Sequence, residues 1–519
     1  MRDTTEILGT YKHHLTINKN MSTFLRKSED ANPNYLATIC QIENLYPIEG
    51  ADRLMRTTIN GNDMVVSKDM KIGDVVVYVP VETAICEQFL SANNLYELSE
   101  AHRNANFEHV ESIIKAAETA CDDVEIKHSM EVANSMCGFF NKRGRVRMLK
   151  LRGQYSMGFV IPVESLRIAF PDLTAVYGEI GTQFNYVGDT QFCWKYVPIT
   201  DAKPQREHDK SGKWKKLMRR TRERFDKLIE GQFEFHYDTK KLEGEIGNIR
   251  PDQTVSVSVK VHGTSVILSN ILCNRKLTFW EKIKKFFGCN VQTTEYSNIY
   301  SSRKVIKNRY LNEEVRDYYG SDIWGCVNKA FEKFLSPGMT VYGEIVGYIE
   351  GTTQMIQAKH DYGCEPGQWK FMPYRITLTD ETGYKTEFNV EEVQSWINCI
   401  LDTCGNEKAY QPGAKWYTYK DCLMPLNILY HGPLKDMYDD LDVENHFHEN
   451  LLERMKNDKE LLLMEKNEPM CKNKVPREGV VIRIDDDICP RAWKLKSKAH
   501  YNLEALAHDN DEVDIEEIS

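Results

Sequence analysis

"SVKVHGTSVILSN", residues 258–270, sets a lysine, a histidine and a glycine inside a run of β-branched residues. The apolar residues on either side predict two strands. Between them, Lys260-Val261-His262-Gly263 reads as a strand end and a turn, with Gly263 allowing a ligand to approach the backbone closely. A lysine amine attacks an electrophile only when neutral, and an ordinary pKa of about 10.4 leaves roughly a thousandth neutral near neutral pH. Burial between apolar strands and nearby positive charge both lower that pKa. "AWKLKSK", residues 492–498, is a source of such charge. Its Lys494 and Lys496 alternate onto one strand face, a pair suited to holding a phosphate.

The 519 residues predict two or three domains. Hydrophobic content of 41% and charged content of 28% suit a folded protein, and a net charge of −10 restricts any nucleic-acid site to a local basic surface. No apolar run is long enough to span a bilayer, and no signal peptide is recognisable, so no membrane is expected as a partner. The fourteen cysteines are scattered without a CxxC pair, which speaks for reduced thiols and against a zinc site. The expected location is the cytoplasm, or the host cytosol for a viral or phage-encoded chain.

Residues 1–34 are expected to be an extension, disordered at least in part. Residues 35–165 hold short candidate strands: "YLATICQIENLY", "RLMRTTING", "DMVVSK", "DVVVYVPV", "GRVRMLKL" and "SMGFVIPV". Asn60-Gly61 marks a hairpin turn, and the set predicts a small OB-like barrel interrupted by a helical insertion at about 88–141. Arg145, Arg147 and Lys150 in "KRGRVRMLKLRGQY" suggest RNA contact, or else a charged strand edge. Residues 166–234 read as a connecting segment with a basic helix at 209–231. Its Arg219 and Arg220 either track phosphates or line a solvated amphipathic face. Residues 235–505 alternate strands and helices irregularly, an α+β pattern, and 506–519 form an acidic tail.

Five blocks follow in order: "KVHGTS" with Lys260, "SSRK" with Arg303, "VYGEIVG" with Glu344, "KFMPYRI" with Phe371 and Tyr374, then "REGVVIRI" with Glu478 leading to "WKLK". This order resembles the covalent nucleotidyltransferase superfamily of polynucleotide ligases and messenger-RNA capping enzymes. His262, where DNA ligases and capping enzymes carry aspartate, is similar to nick-sealing RNA ligases, although Ser265 replaces the asparagine of some of them. "FHYDTKKLEG", "YGCEPGQWKFMPYRIT" and the front-domain stretches "KIGDVVVYVPVETAI", "FLSANNLYELSE" and "KLRGQYSMGFVIP" resemble Deinococcus-type RNA ligases, which carry an amino-terminal OB domain.

The resemblance implies an OB-like barrel followed by an adenylyltransferase domain of antiparallel sheets and helices. It implies an ATP-dependent RNA ligase that works through lysyl-AMP and an RNA-adenylate, with Mg2+ or Mn2+. The expected partner is nicked RNA duplex or an RNA-containing hybrid, and the expected state is a monomer. Lys260 becomes the nucleophile, with Glu478, Lys494 and Lys496 beside it in catalysis. Val261, Gly263, Ser265, Arg303 and Glu344 join Lys494 and Lys496 around ATP, and Phe371 or Tyr374 stacks on adenine. Glu344 and Glu478 hold the metal through water. A capping-type guanylyltransferase, a DNA ligase and a non-catalytic RNA-binding protein are the alternatives.

Overall fold

The β-branched runs around Lys260 become inner strands of two sheets, joined by the turn at 261–263; both sheets are antiparallel apart from one parallel edge pair in the sheet that holds Lys260. The computed structural model describes residues 24–119, 123–173, 179–197, 227–236, 238–308, 322–409, 417–463, 467–485 and 491–509. The chain divides into two units, Met1–Tyr196 and Val197–Ser519. The basic segment at 209–231 lies outside the described residues as far as 226, which includes Arg219 and Arg220.

The first unit contains β1 (Leu25–Arg26), β2 (Ala37–Gln41), β3 (Tyr46–Pro47), β4 (Leu54–Ile59), β5 (Asn62–Ser67), β6 (Val75–Pro80) and β7 (Thr83–Ile85). Helices α1 (Glu87–Ala92), α2 (Phe107–Thr119) and α3 (Asp123–Ser135) follow as the helical insertion. Then come β8 (Leu149–Leu151), β9 (Gln154–Ser156), β10 (Gly158–Pro162), α4 (Ser165–Ala169), β11 (Gln183–Phe184), β12 (Tyr186–Val187), β13 (Thr190–Gln191) and β14 (Cys193–Lys195). Asn60 and Gly61 both take positive φ in the β4–β5 hairpin, as an Asn-Gly turn should.

The expected barrel is not closed: the described strands fall into separate sheets, the largest ordered β10-β6-β2-β11. The run at 144–151 is expected from its sequence to be one of the barrel's strands. Only its last three residues form one, and they fold back on β9 through Arg152 and Gly153, both at positive φ. Residues expected to connect the domains instead return to this unit: β11 pairs with β2, β12 with β1 and β14 with β7. The buried Phe184, Phe192 and Cys193 anchor them in its core.

The same geometry corrects the RNA role expected of Arg145. Its guanidinium is buried and lies 2.8 Å from Glu82, above the Tyr196 ring. Arg147 is half-buried and reaches the Phe139 carbonyl, while Lys150 is exposed over the Tyr155 ring. Because Arg145 and Glu82 are both shielded from water, Arg145→Ala should cost about 3 kcal/mol or more by stranding the carboxylate. Urea denaturation of the variant measures this; an unchanged midpoint would contradict it.

In the second unit, one sheet runs β15 (Lys240–Lys241), β24 (Ala492–Lys496), β23 (Gly479–Ile484), β16 (Thr254–Lys260), β22 (Ile428–Pro433). The other runs β18 (Thr294–Ser301), β17 (Thr264–Asn274), β19 (Met339–Gly347), β20 (Trp369–Thr379), β21 (Lys385–Glu387). The unit's helices include α5 (Phe279–Phe286), α6 (Ile323–Phe331), α7 (Val390–Cys404), α8 (Tyr419–Cys422), α9 (Phe447–Asn457) and α10 (Lys498–Asp509). The second sheet packs Val341, Ile345 and Phe371 against Trp324 and Phe331 of α6 and Val393 and Ile397 of α7. The first buries Val255, Val257, Val480 and Leu495 with Leu451 and Met455 of α9. This agrees with the expected α+β class. Helix α10 extends past the boundary expected at 505, and residues 510–519 lie outside the described residues.

Candidate active site where two sheets meet

Register brings the key residues together. Lys260 ends β16 opposite Gly479, and Gly479 in turn faces Lys496 on β24. Glu478 therefore enters between the two lysines. Lys260 Nζ lies 2.8 Å from Glu478 Oε1, and Lys496 Nζ lies 3.6 Å from the same oxygen. Glycine at 479 is what permits this closeness, since a Cβ there would stand 2.2 Å from the Leu495 carbonyl oxygen.

The charges are strongly coupled. Burial alone would raise the Glu478 pKa, but Lys260, Lys496, His500 and His262 outweigh it and hold the carboxyl well below its usual range. Burial disfavours the Lys496 ammonium, yet Glu504 at 2.6 Å and Glu478 push its pKa well above the ordinary value. Lys494 shows the opposite behaviour. Burial, then Lys496, Lys260, Lys241 and Arg303, depress its pKa strongly. Four basic side chains thus converge on Lys494, an arrangement that favours an incoming anion beside it.

The second sheet supplies the opposite wall. Ser265 faces Glu344 in register, and its hydroxyl donates to Glu344 Oε1 at 2.9 Å. Trp324 Nε1 donates to the Ser265 carbonyl at 3.0 Å, fixing the start of β17. The Val261 side chain is buried in the core, and the His262 N–H donates to Tyr362 Oη at 2.6 Å. The neighbouring turn residue, Gly263, offers its carbonyl to Gln357 Nε2 at 2.9 Å.

At Gly263 a Cβ would meet the Ile345 carbonyl oxygen at 2.5 Å, so the approach of β19 by itself requires a glycine. Gly263→Ala should therefore push the two strands apart and cost roughly 1–3 kcal/mol, as overpacking does. A denaturation midpoint equal to the parent's would refute this.

Arg303 is nearly buried and ion-paired with Asp238. Of the two candidate stacking rings, Phe371 is fully buried, 5.1 Å from the Phe331 ring, and offers no face to a nucleotide. Strand alternation explains the correction: Phe371 pairs with Ile345 on the core face, while Met372 stands opposite Glu344. Tyr374 is half-buried, with its hydroxyl 3.2 Å from His236 Nδ1.

Four residues that touch His262 or Lys496 escaped the sequence reading: His360, Tyr362, His500 and Glu504. The rings of His262, His360 and His500 pack edge to face, with His262 4.9 Å from His360 and 5.0 Å from His500. Burial and the neighbouring His262 lower the His360 pKa to about 4. His500 Nε2 lies 3.2 Å from Glu504 Oε1. His360 and Tyr362 share one loop, and His500 and Glu504 sit four apart on α10; only the fold brings these two segments together beside His262. Ligand atoms of His262, Glu478 and His500 all lie within 4.8 Å of one another. Oxygen from Glu478 and Glu344 suits a hard divalent cation, and adjacent imidazole also suits manganese.

The chain is similar to solved structures of Naegleria gruberi RNA ligase. An alanine-substituted form with ATP and Mn is 18% identical, with a TM-score of 0.48 over 90% of this chain and 98% of that one. A second variant, with AMP and Mn, is 18% identical, with a TM-score of 0.47 over 90% and 98%. The enzyme with PPi is 17% identical, with a TM-score of 0.46 over 92% and 99%. No protein-family model and no curated protein matches this chain.

Proposed function

We propose that this chain is an ATP-dependent RNA ligase that joins 3′-hydroxyl and 5′-phosphate RNA ends, with nicks in duplexes as its substrate. The observation that carries this reading is Lys260 at a strand end, 2.8 Å from buried Glu478 and beside Lys494 and Lys496. An amine so placed attacks the α-phosphorus of ATP. A P–N bond forms, pyrophosphate leaves, and the amine gives up its proton. The AMP then passes to a 5′-phosphate, and the 3′-hydroxyl displaces AMP as the phosphodiester forms.

The surrounding side chains serve position and charge, which dominate phosphoryl chemistry. Lys494 and Lys496 hold the α-phosphate. An anion there favours the charged form of Lys494, against the burial and neighbouring cations that lower its pKa, while Glu478 orients the Lys260 amine. Arg303 binds ribose or phosphate, and Tyr374 is the ring left to stack on adenine. Glu344 and Glu478 would hold a divalent ion through water, and that ion neutralises phosphate charge. In the front unit, exposed Lys150 and half-buried Arg147 contact RNA.

The test is incubation with labelled ATP and Mg2+ or Mn2+, beside GTP and NAD. Label that survives denaturation with ATP supports the reading; label with GTP alone makes the chain a capping-type enzyme. Absence of label and of sealing makes it an RNA-binding protein without catalysis. Nicked duplexes with ribose or deoxyribose at the 3′-hydroxyl should be sealed only with ribose. Equal sealing of all-DNA nicks would make it a DNA ligase.

A further inference from the structure

Helix α5 leaves the sheet between β17 and β18 and buries none of its residues. It is nonetheless firmly made. Thr278 and Glu281 form a reciprocal capping box, Arg275 pairs with Glu281 at 2.6 Å, and Gly288 at φ 76° follows its end. Phe279 and Trp280 are each 71% exposed, Phe286 85% and Phe287 75%. At 3.6 residues per turn, Phe279, Trp280, Ile283, Phe286 and Phe287 fall on one arc of about 120°. Lys282 and Lys284 flank that arc on its two sides, and Lys285 lies opposite. The helix's sole acid, Glu281, is engaged by Arg275 and the cap.

Four large rings standing in water at one place are costly unless something covers them. We propose that α5 docks this chain onto the surface of a lipid bilayer carrying anionic headgroups. The rings enter the boundary between headgroups and acyl chains, and the flanking lysines reach the phosphates and carboxylates above them. Charge complementarity selects this occupant: the helix is cationic on a chain whose net charge is −10. The arc between the flanking lysines holds apolar residues alone, a continuous face that suits the acyl boundary, whereas a single-stranded nucleic acid is met by rings interleaved with cations. Among the described residues no helix is long and apolar enough to cross a membrane, so the contact is with the surface. The absence of a membrane partner expected from the sequence rested on the lack of a spanning run and of a signal peptide, neither of which bears on a surface helix, and is replaced by this proposal.

The test is flotation of the full chain with vesicles of phosphatidylcholine alone or phosphatidylcholine with phosphatidylserine. The parent should float with the anionic vesicles and bind the neutral ones much more weakly. W280D/F286D and K282E/K284E should each weaken anionic binding by about tenfold or more, with labelling by ATP unchanged. These positions are exposed, so folding should be preserved. Failure to bind anionic vesicles, equal binding to neutral ones, or parent-like binding by both variants would overturn the proposal. So would loss of RNA affinity in W280D/F286D without vesicle binding by the parent, which would mark a nucleic-acid face. A parent dimer that this variant dissolves would mark a contact between copies.

Discussion

Lys260→Met should take no label from ATP while remaining folded. Methionine keeps the length and apolar stem of the lysine but has no amine to form the P–N bond. Loss of a covalent nucleophile should reduce labelling on the order of 10⁴-fold or more. The substitution leaves Glu478 beside Lys496 at 3.6 Å, so the buried carboxylate keeps a cation and the fold should survive. A second readout separates chemistry from misfolding. An RNA nick already bearing AMP on its 5′-phosphate needs no lysyl intermediate, so Lys260→Met should still seal it. Lys494→Met should lose both activities, because it removes a cation proposed to hold phosphate throughout. Persistent label on Lys260→Met would place the nucleophile elsewhere.

The strand pair around Lys260 was legible because β-branched alternation and Gly263 leave few other conformations for 254–274. Lys496 was legible as well, since period-two spacing on a strand fixes its face. What brings Lys260, Glu478 and Lys496 together is a register across three strands, centred on Gly479, and no local pattern encodes that. His360 and His500 were missed because they meet His262 only through the fold, from a loop and from α10. Phe371 shows the opposite limit. An aromatic residue in a strand has two faces available, and only packing against Phe331 decides that it turns to the core. The barrel failed as an expectation because 144–148 read as strand. Arg145, a strand-compatible residue, is instead drawn into a buried pair with Glu82.

Glu478→Gln should both weaken the fold and stop labelling. The side chain stays the same size, but the charge that compensates Lys260 disappears. Lys496 keeps Glu504 at 2.6 Å, and the Lys260 side chain is 21% exposed, so water can relieve part of the loss. The expected cost is therefore about 3 kcal/mol, the lower end for breaking a buried ion pair. The pH dependence follows from the sign of the shift. The folded carboxyl is held well below its ordinary value by Lys260, Lys496, His500 and His262 against the opposing effect of burial. The unfolded chain then takes up this proton first, at the usual glutamate pKa of about 4.3. The stabilisation is complete above that pH and is lost progressively as pH falls below it. Urea titrations of parent and variant at pH 7 and below pH 4 should show the gap between them narrowing in acid. A gap that stays constant, or widens, would mean that Glu478 holds no net favourable charge contact in the folded chain, and its pairing with Lys260 would then explain neither stability nor the placement of the amine.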